Sequence, residues 1–263
     1  MIQTPTIVTA LFDIGRDKWD NYQQGYDMYL TWMTSLLMYD TKMVIYTDNS
    51  LYETILNKRK ICDPNLENTI FVVKKLEELE AHKMFFDRVE LLMKTEEFKK
   101  KVAFQVPEMT KPLYNIVIFN KLFYILESIE KKHFDSDFYI WLDAGVLRTY
   151  SQEKISGWPN LDKINNGYSD KITFFNHQEK TPYIDPYLHI MSQYRFIHGG
   201  CIFIPNNKTL DKLIHTFLNL ITHYLDEGYV GSEEKYLDLC YLKNPEDYNV
   251  IKCDWRQYFE IFE

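Results

Sequence analysis

Three short runs constrain this chain more than anything else in it. Thr6-Ile7-Val8-Thr9-Ala10-Leu11-Phe12, Lys42–Tyr46 and Thr69–Val73 are apolar, rich in β-branched residues, and do not alternate with polar ones. A run apolar on both sides reads as a strand covered on both faces of its sheet. Between the runs lie two helical patterns. Tyr22 to Tyr39 carries Tyr26, Tyr29, Leu30, Met33, Leu36 and Leu37 on one stripe, and Leu51 to about Arg59 reads as a second helix. Strand, helix, strand, helix, strand is the order of parallel strands with crossover helices. The fold class that follows is α/β and Rossmann-like, a central mostly parallel sheet flanked by helices. Further on, Leu76–Lys101, Asn115–Lys131, Leu210–Leu225 and Ser232–Leu242 are helical in pattern. Phe138–Leu142, Lys171–Phe175 and Cys201–Ile204 read as strands, the last after a Gly199-Gly200 break. Nothing repeats and no composition shift divides the chain, so a single domain over residues 1–263 is expected.

Composition narrows the possible partners. A net charge of −8 disfavours a nucleic-acid partner, which needs a basic face. It does not forbid a local basic pocket. Hydrophobic residues make up 46% of the chain, enough for a full core without staples. Cys62, Cys201, Cys240 and Cys253 form no C-x-x-C pair and fit reduced thiols in a cytoplasmic protein. No basic-apolar-small leader is seen, and no stretch reaches the ~18 uninterrupted apolar residues of a transmembrane segment. The nearest approach, Tyr114 to Leu126, is broken by Asn120 and Lys121.

In open α/β sheets ligands bind beyond the carboxyl ends of the strands, so the residues just after each strand carry the chemistry. Here these are Phe12, Asp13 and Arg16, then Asp48, then Asp143. Asp143-Ala144-Gly145 places a carboxylate at the rim where a divalent cation and a diphosphate can meet, and a Gly that permits close approach. A strand-ending Asp with a turn Gly is also common without function. Phe12, Asp13 and Arg16 offer a nucleoside an apolar wall, an acceptor and a cation; alone they equally describe a loop with a surface ion pair. His198-Gly199-Gly200 suggests close backbone approach, although a lone His is more often structural. Glu233 and Glu234 open a helix, where carboxylates are stabilising in any case, and either one is a candidate general base. Tyr183, Tyr187 and Tyr194 are possible sugar-stacking rings, and Lys99-Lys100-Lys101 reads first as a solvated helix face. The G-x-G-x-x-G and G-x-x-x-x-G-K-[ST] signatures are absent, as is a G-x-S-x-G elbow.

Taken in order, several of these segments resemble the HtrL/YibB-like family, regarded as GT-A-like glycosyltransferases. They are Ile7–Arg16, the helix with Tyr29-Leu30, Val44–Asp48, Tyr114-Asn115, Trp141–Gly145, His198-Gly199-Gly200 and Ser232-Glu233-Glu234. The resemblance implies a nucleotide-sugar donor, UDP-linked, a hydroxyl acceptor on a glycan, glycolipid or protein, and Mn²⁺ or Mg²⁺. About 1–145 would be the nucleotide-binding part and about 146–263 the acceptor side. Thr9, Phe12, Asp13, Arg16, Asp48, Lys121, Gly199 and Gly200 would bind the donor. Asp143 and His198 would hold the metal. Asp143, Glu233 and Glu234 would be the catalytic carboxylates. Gly145 stands where the D-x-D motif of GT-A enzymes has its second aspartate. Two rivals use the same sheet: a sugar-nucleotide hydrolase or nucleotidyltransferase, and a non-catalytic nucleotide-sugar or carbohydrate-binding module. The missing aspartate favours the second.

Overall fold

The computed structural model describes residues 5–20, 25–148, 158–176, 185–254 and 257–262. The strands are β1 (Thr6–Leu11), β2 (Met43–Thr47), β3 (Thr69–Val73), β4 (Phe138–Leu142), β5 (Ile172–Asn176), β6 (His198–Pro205) and β7 (Tyr248–Lys252). They form one seven-stranded sheet in the order β3-β2-β1-β4-β6-β5-β7. β1 pairs in parallel with β2 and β4, β2 with β3, and β5 with β7; β6 alone runs against its neighbours β4 and β5. The sheet is therefore mostly parallel, as the sequence order implies.

The helices are α1 (Tyr26–Leu37), α2 (Asn49–Arg59), α3 (Glu80–Lys94), α4 (Glu96–Lys101), α5 (Pro107–Thr110), α6 (Pro112–Phe119), α7 (Lys121–Glu130), α8 (Leu161–Asn165), α9 (Pro186–Met191), α10 (Thr209–Asp226), α11 (Glu233–Lys243) and α12 (Tyr258–Ile261). They cover both faces, which explains why the strands do not alternate. On one face Val8, Val44, Tyr46, Tyr139, Trp141 and Phe174 pack with residues of α3, α6, α7, α10 and α11. On the other, Ile7, Met43, Ile45, Phe138, Ile140 and Phe203 pack with α1, α2 and α12. Successive side chains of one strand thus enter different cores, and both must be apolar.

Three local expectations are revised. The helical pattern over Leu76–Lys101 is split: Thr95 leaves helical geometry, and its side chain caps α4 by accepting from the Phe98 N–H. The pattern over Asn115–Lys131 is split at Asn120, whose side-chain oxygen turns away to accept the Ala81 N–H at the start of α3 (3.0 Å). That joint makes Lys121 the first residue of α7. Gly199 and Gly200 do not precede the last of the expected strands; they lie inside β6, and Asp143 donates its N–H to the Gly200 carbonyl (3.0 Å). Arg59, fully buried, ties α2 to the α1–β2 turn by donating to the carbonyls of Leu37, Tyr39 and Thr41 and to the Thr69 hydroxyl.

Candidate functional site

Topology brings five segments to one rim. The chain leaves β1 and β4 at the carboxyl edge of the sheet, delivering Phe12–Arg16 and Asp143–Arg148 there. β6, being antiparallel, begins at that same edge with His198, Gly199 and Gly200. The α6–α7 joint contributes Lys121, and the first turn of α11 contributes Glu233 and Glu234. Together they line a cleft of about 280 Å³ that includes Tyr29, Tyr114, Lys121, Asp143, Gly145, Arg148, Arg195, His198, Gly200, Glu233, Glu234 and Tyr258. A smaller lobe of about 110 Å³ shares Tyr29, Tyr114, Lys121, Asp143 and Gly145, and adds Phe12, Ile14, Arg16 and Trp141.

Lys121 is the hub. Its ammonium donates to Glu233 Oε1 (2.6 Å) and the Gly199 carbonyl (3.0 Å), and it pairs with Asp143 Oδ1 at 2.8 Å. The Trp141 indole N–H donates to the same Asp143 oxygen (2.7 Å). Glu234 accepts the Gly199 N–H on one oxygen (3.0 Å) and pairs through the other with Arg195 Nε (3.1 Å); Arg195 also reaches Glu108 (3.2 Å). Gly199 fits because nothing larger would: a Cβ there would stand 2.5 Å from Glu233 Oε1. A Cβ on Gly145 would come within 3.2 Å of the Trp32 ring, so that turn is also tight.

The charges of this cluster are tuned by burial and by one another. Burial pushes the Glu233 carboxyl up to about 7, with Lys121 opposing and Glu234 and Asp143 adding to the rise. Burial also disfavours the Lys121 ammonium, but Asp143 and Glu233 outweigh that and raise it above the ordinary lysine value. Glu234, then Glu108, raise Arg195 against its own burial.

In the smaller lobe Arg16 lies in an aromatic box. Its guanidinium carbon is 4.5 Å from the ring centre of Tyr29, 4.9 Å from Trp19 and 5.2 Å from Tyr114. Among the described residues its guanidinium is paired with no carboxylate. Behind it, Phe12, Tyr124 and Trp141 stack in sequence, with centroid separations of 5.9 and 5.8 Å.

Of the residues singled out from sequence, Phe12, Arg16, Lys121, Asp143, His198, Gly200, Glu233 and Glu234 line this continuous cleft, and Gly199 lies directly behind Glu233. Thr9, Asp48 and Asp13 do not line it. Thr9 is wholly buried within β1. Asp48 caps α2 by accepting the Ser50 and Leu51 N–H groups, and its other oxygen accepts the Asp13 N–H (2.5 Å). Asp13 in turn accepts the Gly15 N–H (2.8 Å), so the pair shapes the loop that carries Arg16. Tyr187 packs against Tyr224 and Tyr229, and Tyr194 against His189; neither lines the cleft, and Tyr183 lies outside the described residues. Lys101 is spent on the Gly228 carbonyl and the Tyr229 ring. The sequence reading missed Arg148 and Arg195. Neither has a motif; Arg195 is identified only by the carboxylates it meets.

The expected Mn²⁺ or Mg²⁺ centre is poorly matched by this donor set. Such an ion favours one or two carboxylates with open oxygens, completed by phosphate and water. One oxygen of Asp143 and one of Glu233 already receive the Lys121 ammonium, both oxygens of Glu234 are engaged, and the second oxygens of Asp143 and Glu233 belong to carboxylates whose charge that ammonium already offsets. Among the described residues no group of three or more His, Cys, Asp or Glu side chains is spaced to hold an ion.

The fold and cleft define an α/β protein with a charged, aromatic-walled site at the carboxyl rim of its parallel strands. Residues 3–263 match the family described as "Bacterial protein of unknown function (HtrL_YibB)", and the chain belongs to that family. It is 22% identical to protein HtrL of Escherichia coli (strain K12), over all of this chain and 92% of that protein. Among solved structures it is similar to the glycosyltransferase GlyE of Streptococcus pneumoniae TIGR4 (TM-score 0.43, 11% identity), covering 94% of this chain but only 45% of GlyE. It is also similar to the galactosyltransferase LgtC in complex with donor and acceptor sugar analogues (TM-score 0.42, 11% identity), covering 93% of this chain and 72% of that one. Among the described residues no helix is long and apolar enough to cross a membrane.

Proposed function

We propose that the protein transfers a sugar from a nucleotide diphosphate donor, UDP-linked, to a hydroxyl acceptor. The observation that carries this is the convergence on one cleft of a guanidinium that lies in an aromatic box and meets no carboxylate among the described residues, a buried ammonium, and the buried Glu233 carboxyl beside it. The Arg16 lobe, with Phe12 and Tyr114, suits a nucleoside and its phosphates: rings to lie against and a guanidinium whose N–H fork matches phosphate oxygens. The larger lobe, with Asp143, His198, Gly200 and Glu233, has room for the sugar and the incoming hydroxyl.

In this reaction the bond between the anomeric carbon and the diphosphate oxygen breaks, and its electron pair leaves with the diphosphate. The acceptor oxygen bonds to the anomeric carbon and gives up its proton. Glu233 is the group suited to take it, because a carboxyl near 7 matches proton transfer at neutral pH. Its Oε1 is held by Lys121, while among the described residues its second oxygen has no hydrogen-bond partner. Glu234 is less suited, since Gly199 and Arg195 occupy both of its oxygens.

The test is thermal unfolding against a panel of UDP- and GDP-sugars, followed by a hydrolysis screen of those that bind. A ligand at 100 times its dissociation constant stabilises by about 2.7 kcal/mol. Absence of any shift across the panel, with or without divalent metal, would remove the transferase assignment. Binding without turnover, in the presence of sugar acceptors, would favour a binding module.

A further inference from the structure

We propose that Lys121 is a built-in replacement for the divalent cation, so that the site takes its diphosphate donor without metal. This rests on the nucleotide-sugar assignment above and specifies how that site handles charge.

Two carboxylates and a backbone carbonyl converge on one point between β4, β6 and α11. They are Asp143 Oδ1, Glu233 Oε1 and the Gly199 oxygen, at 2.8, 2.6 and 3.0 Å from Lys121 Nζ. Carboxylates plus a carbonyl are the oxygen set a hard cation takes. Here an ammonium occupies the centre of that set, and its three N–H groups match the three oxygens one for one. The side chain is almost completely buried, and the α6–α7 joint at Asn120 fixes where it enters. Asp143 and Glu233 hold it in its charged form.

A divalent ion on the same oxygens would be placed within a few ångströms of a positive charge that cannot withdraw to solvent. The like-charge repulsion would be strong in so buried a setting. The remaining carboxylate, Glu234, is paired with Arg195 and accepts the Gly199 N–H, so it adds no open oxygen to the cluster. The chain also carries Gly145 where an aspartate would strengthen a metal site. Lys121 and Arg195 thus set protein cations against the carboxylates a metal would otherwise use. A diphosphate leaving beside Asp143 would find that carboxylate's charge offset by Lys121, and would be received by the Arg16 guanidinium, which lines the same lobe and among the described residues pairs with no carboxylate.

Chelator-treated protein is titrated with UDP by calorimetry, then again with Mn²⁺ or Mg²⁺ present. Free Mn²⁺ is followed in parallel by its electron paramagnetic resonance signal, with UDP alone as the reference. The expected result is a Kd for UDP that changes by no more than about twofold on adding metal, with no Mn²⁺ taken up by the protein beyond what UDP itself binds. Lys121→Met should open the oxygen set: the variant should take up Mn²⁺, and its UDP binding should become metal-dependent. Lys121→Arg, which keeps the charge, should remain metal-independent, and it serves if the methionine variant does not fold. Wild-type protein that binds UDP only with Mn²⁺ would overturn this inference while leaving the transferase assignment standing. Lys121→Met protein that binds UDP without metal as tightly as wild type would also overturn it. Failure of UDP and UDP-sugars to bind under any condition would remove both.

Discussion

Gly199→Ala is a sharp probe of the cluster, because the added atom has a definite place to go. Its Cβ would lie 2.5 Å from Glu233 Oε1 and 3.2 Å from Glu234 Cγ. Ordinary contact begins at about 3.4 Å, so the carboxylate must retreat by roughly 1 Å. That oxygen is the one receiving the Lys121 ammonium at 2.6 Å, and a retreat away from it stretches the pair to the edge of hydrogen-bond range. The backbone has little freedom to move instead. The Gly199 N–H is bonded to Glu234, its carbonyl to Lys121, and the Gly200 carbonyl to the Asp143 N–H. Overpacking costs about 1–3 kcal/mol, and weakening a charged hydrogen bond costs about 1.5–3. The two share one displacement, so a total of about 2–4 kcal/mol is expected. Urea unfolding measures it as a fall in midpoint at unchanged slope. The decisive comparison is a double-mutant cycle with Glu233→Ala, which removes the obstruction. In that background Gly199→Ala should cost less by about 2 kcal/mol, the coupling expected of groups in contact. A single variant within about 0.5 kcal/mol of wild type, or a cycle with no coupling, would refute the placement of Glu233 against Gly199.

Four other outcomes are expected. If Glu233 takes the acceptor proton, log kcat should rise with unit slope up to pH about 7 and then level off; Glu233→Gln should lose that limb and about 10²–10⁴ in rate. The folded carboxyl sits above its ordinary value, so the folded state holds the extra proton between pH 4.5 and about 7. The contribution of this group to stability therefore falls as pH rises through that window, and Glu233→Gln should flatten the fall in urea titrations. Arg16→Ala should weaken UDP binding by tenfold or more, since a charge-assisted hydrogen bond is worth about 1.5–3 kcal/mol; an unchanged Kd by calorimetry would take Arg16 out of the site. Arg59→Met should destabilise by about 3–5 kcal/mol, because three buried or half-buried carbonyls lose their donor; a loss below about 1 kcal/mol in urea would contradict the burial of that guanidinium.

Much of the frame was legible in the amino-acid order. β1, β2, β3 and β4 lie within one residue of where the apolar runs place them; β1, β2 and β4 are buried at every position, as strands covered on both faces are, while β3 is a partly exposed edge strand. Asp48 could be read as the residue ending β2. That its carboxylate caps α2 and holds the Asp13 N–H is a matter of local geometry. Breaks at Thr95 and Asn120 were not visible, since Thr and Asn are tolerated within helical patterns and only their side-chain partners decide otherwise. The glycines of β6 looked like a break because glycine is poor in strands; for Gly199 the carboxylates of α11 lying over it supply the missing reason.

Local sequence, then, determined the parallel α/β frame and the rim that holds Arg16 and Asp143. It did so because hydrophobic period and strand order are properties of neighbouring residues. Tertiary structure alone decided that Lys121 meets Glu233 across 112 positions, that Arg195 answers Glu234, and that an ammonium sits among oxygens suited to a metal. Pairing between distant charges leaves no period in the chain; it exists only once β6 runs antiparallel beside β4 and brings α11 over the same rim.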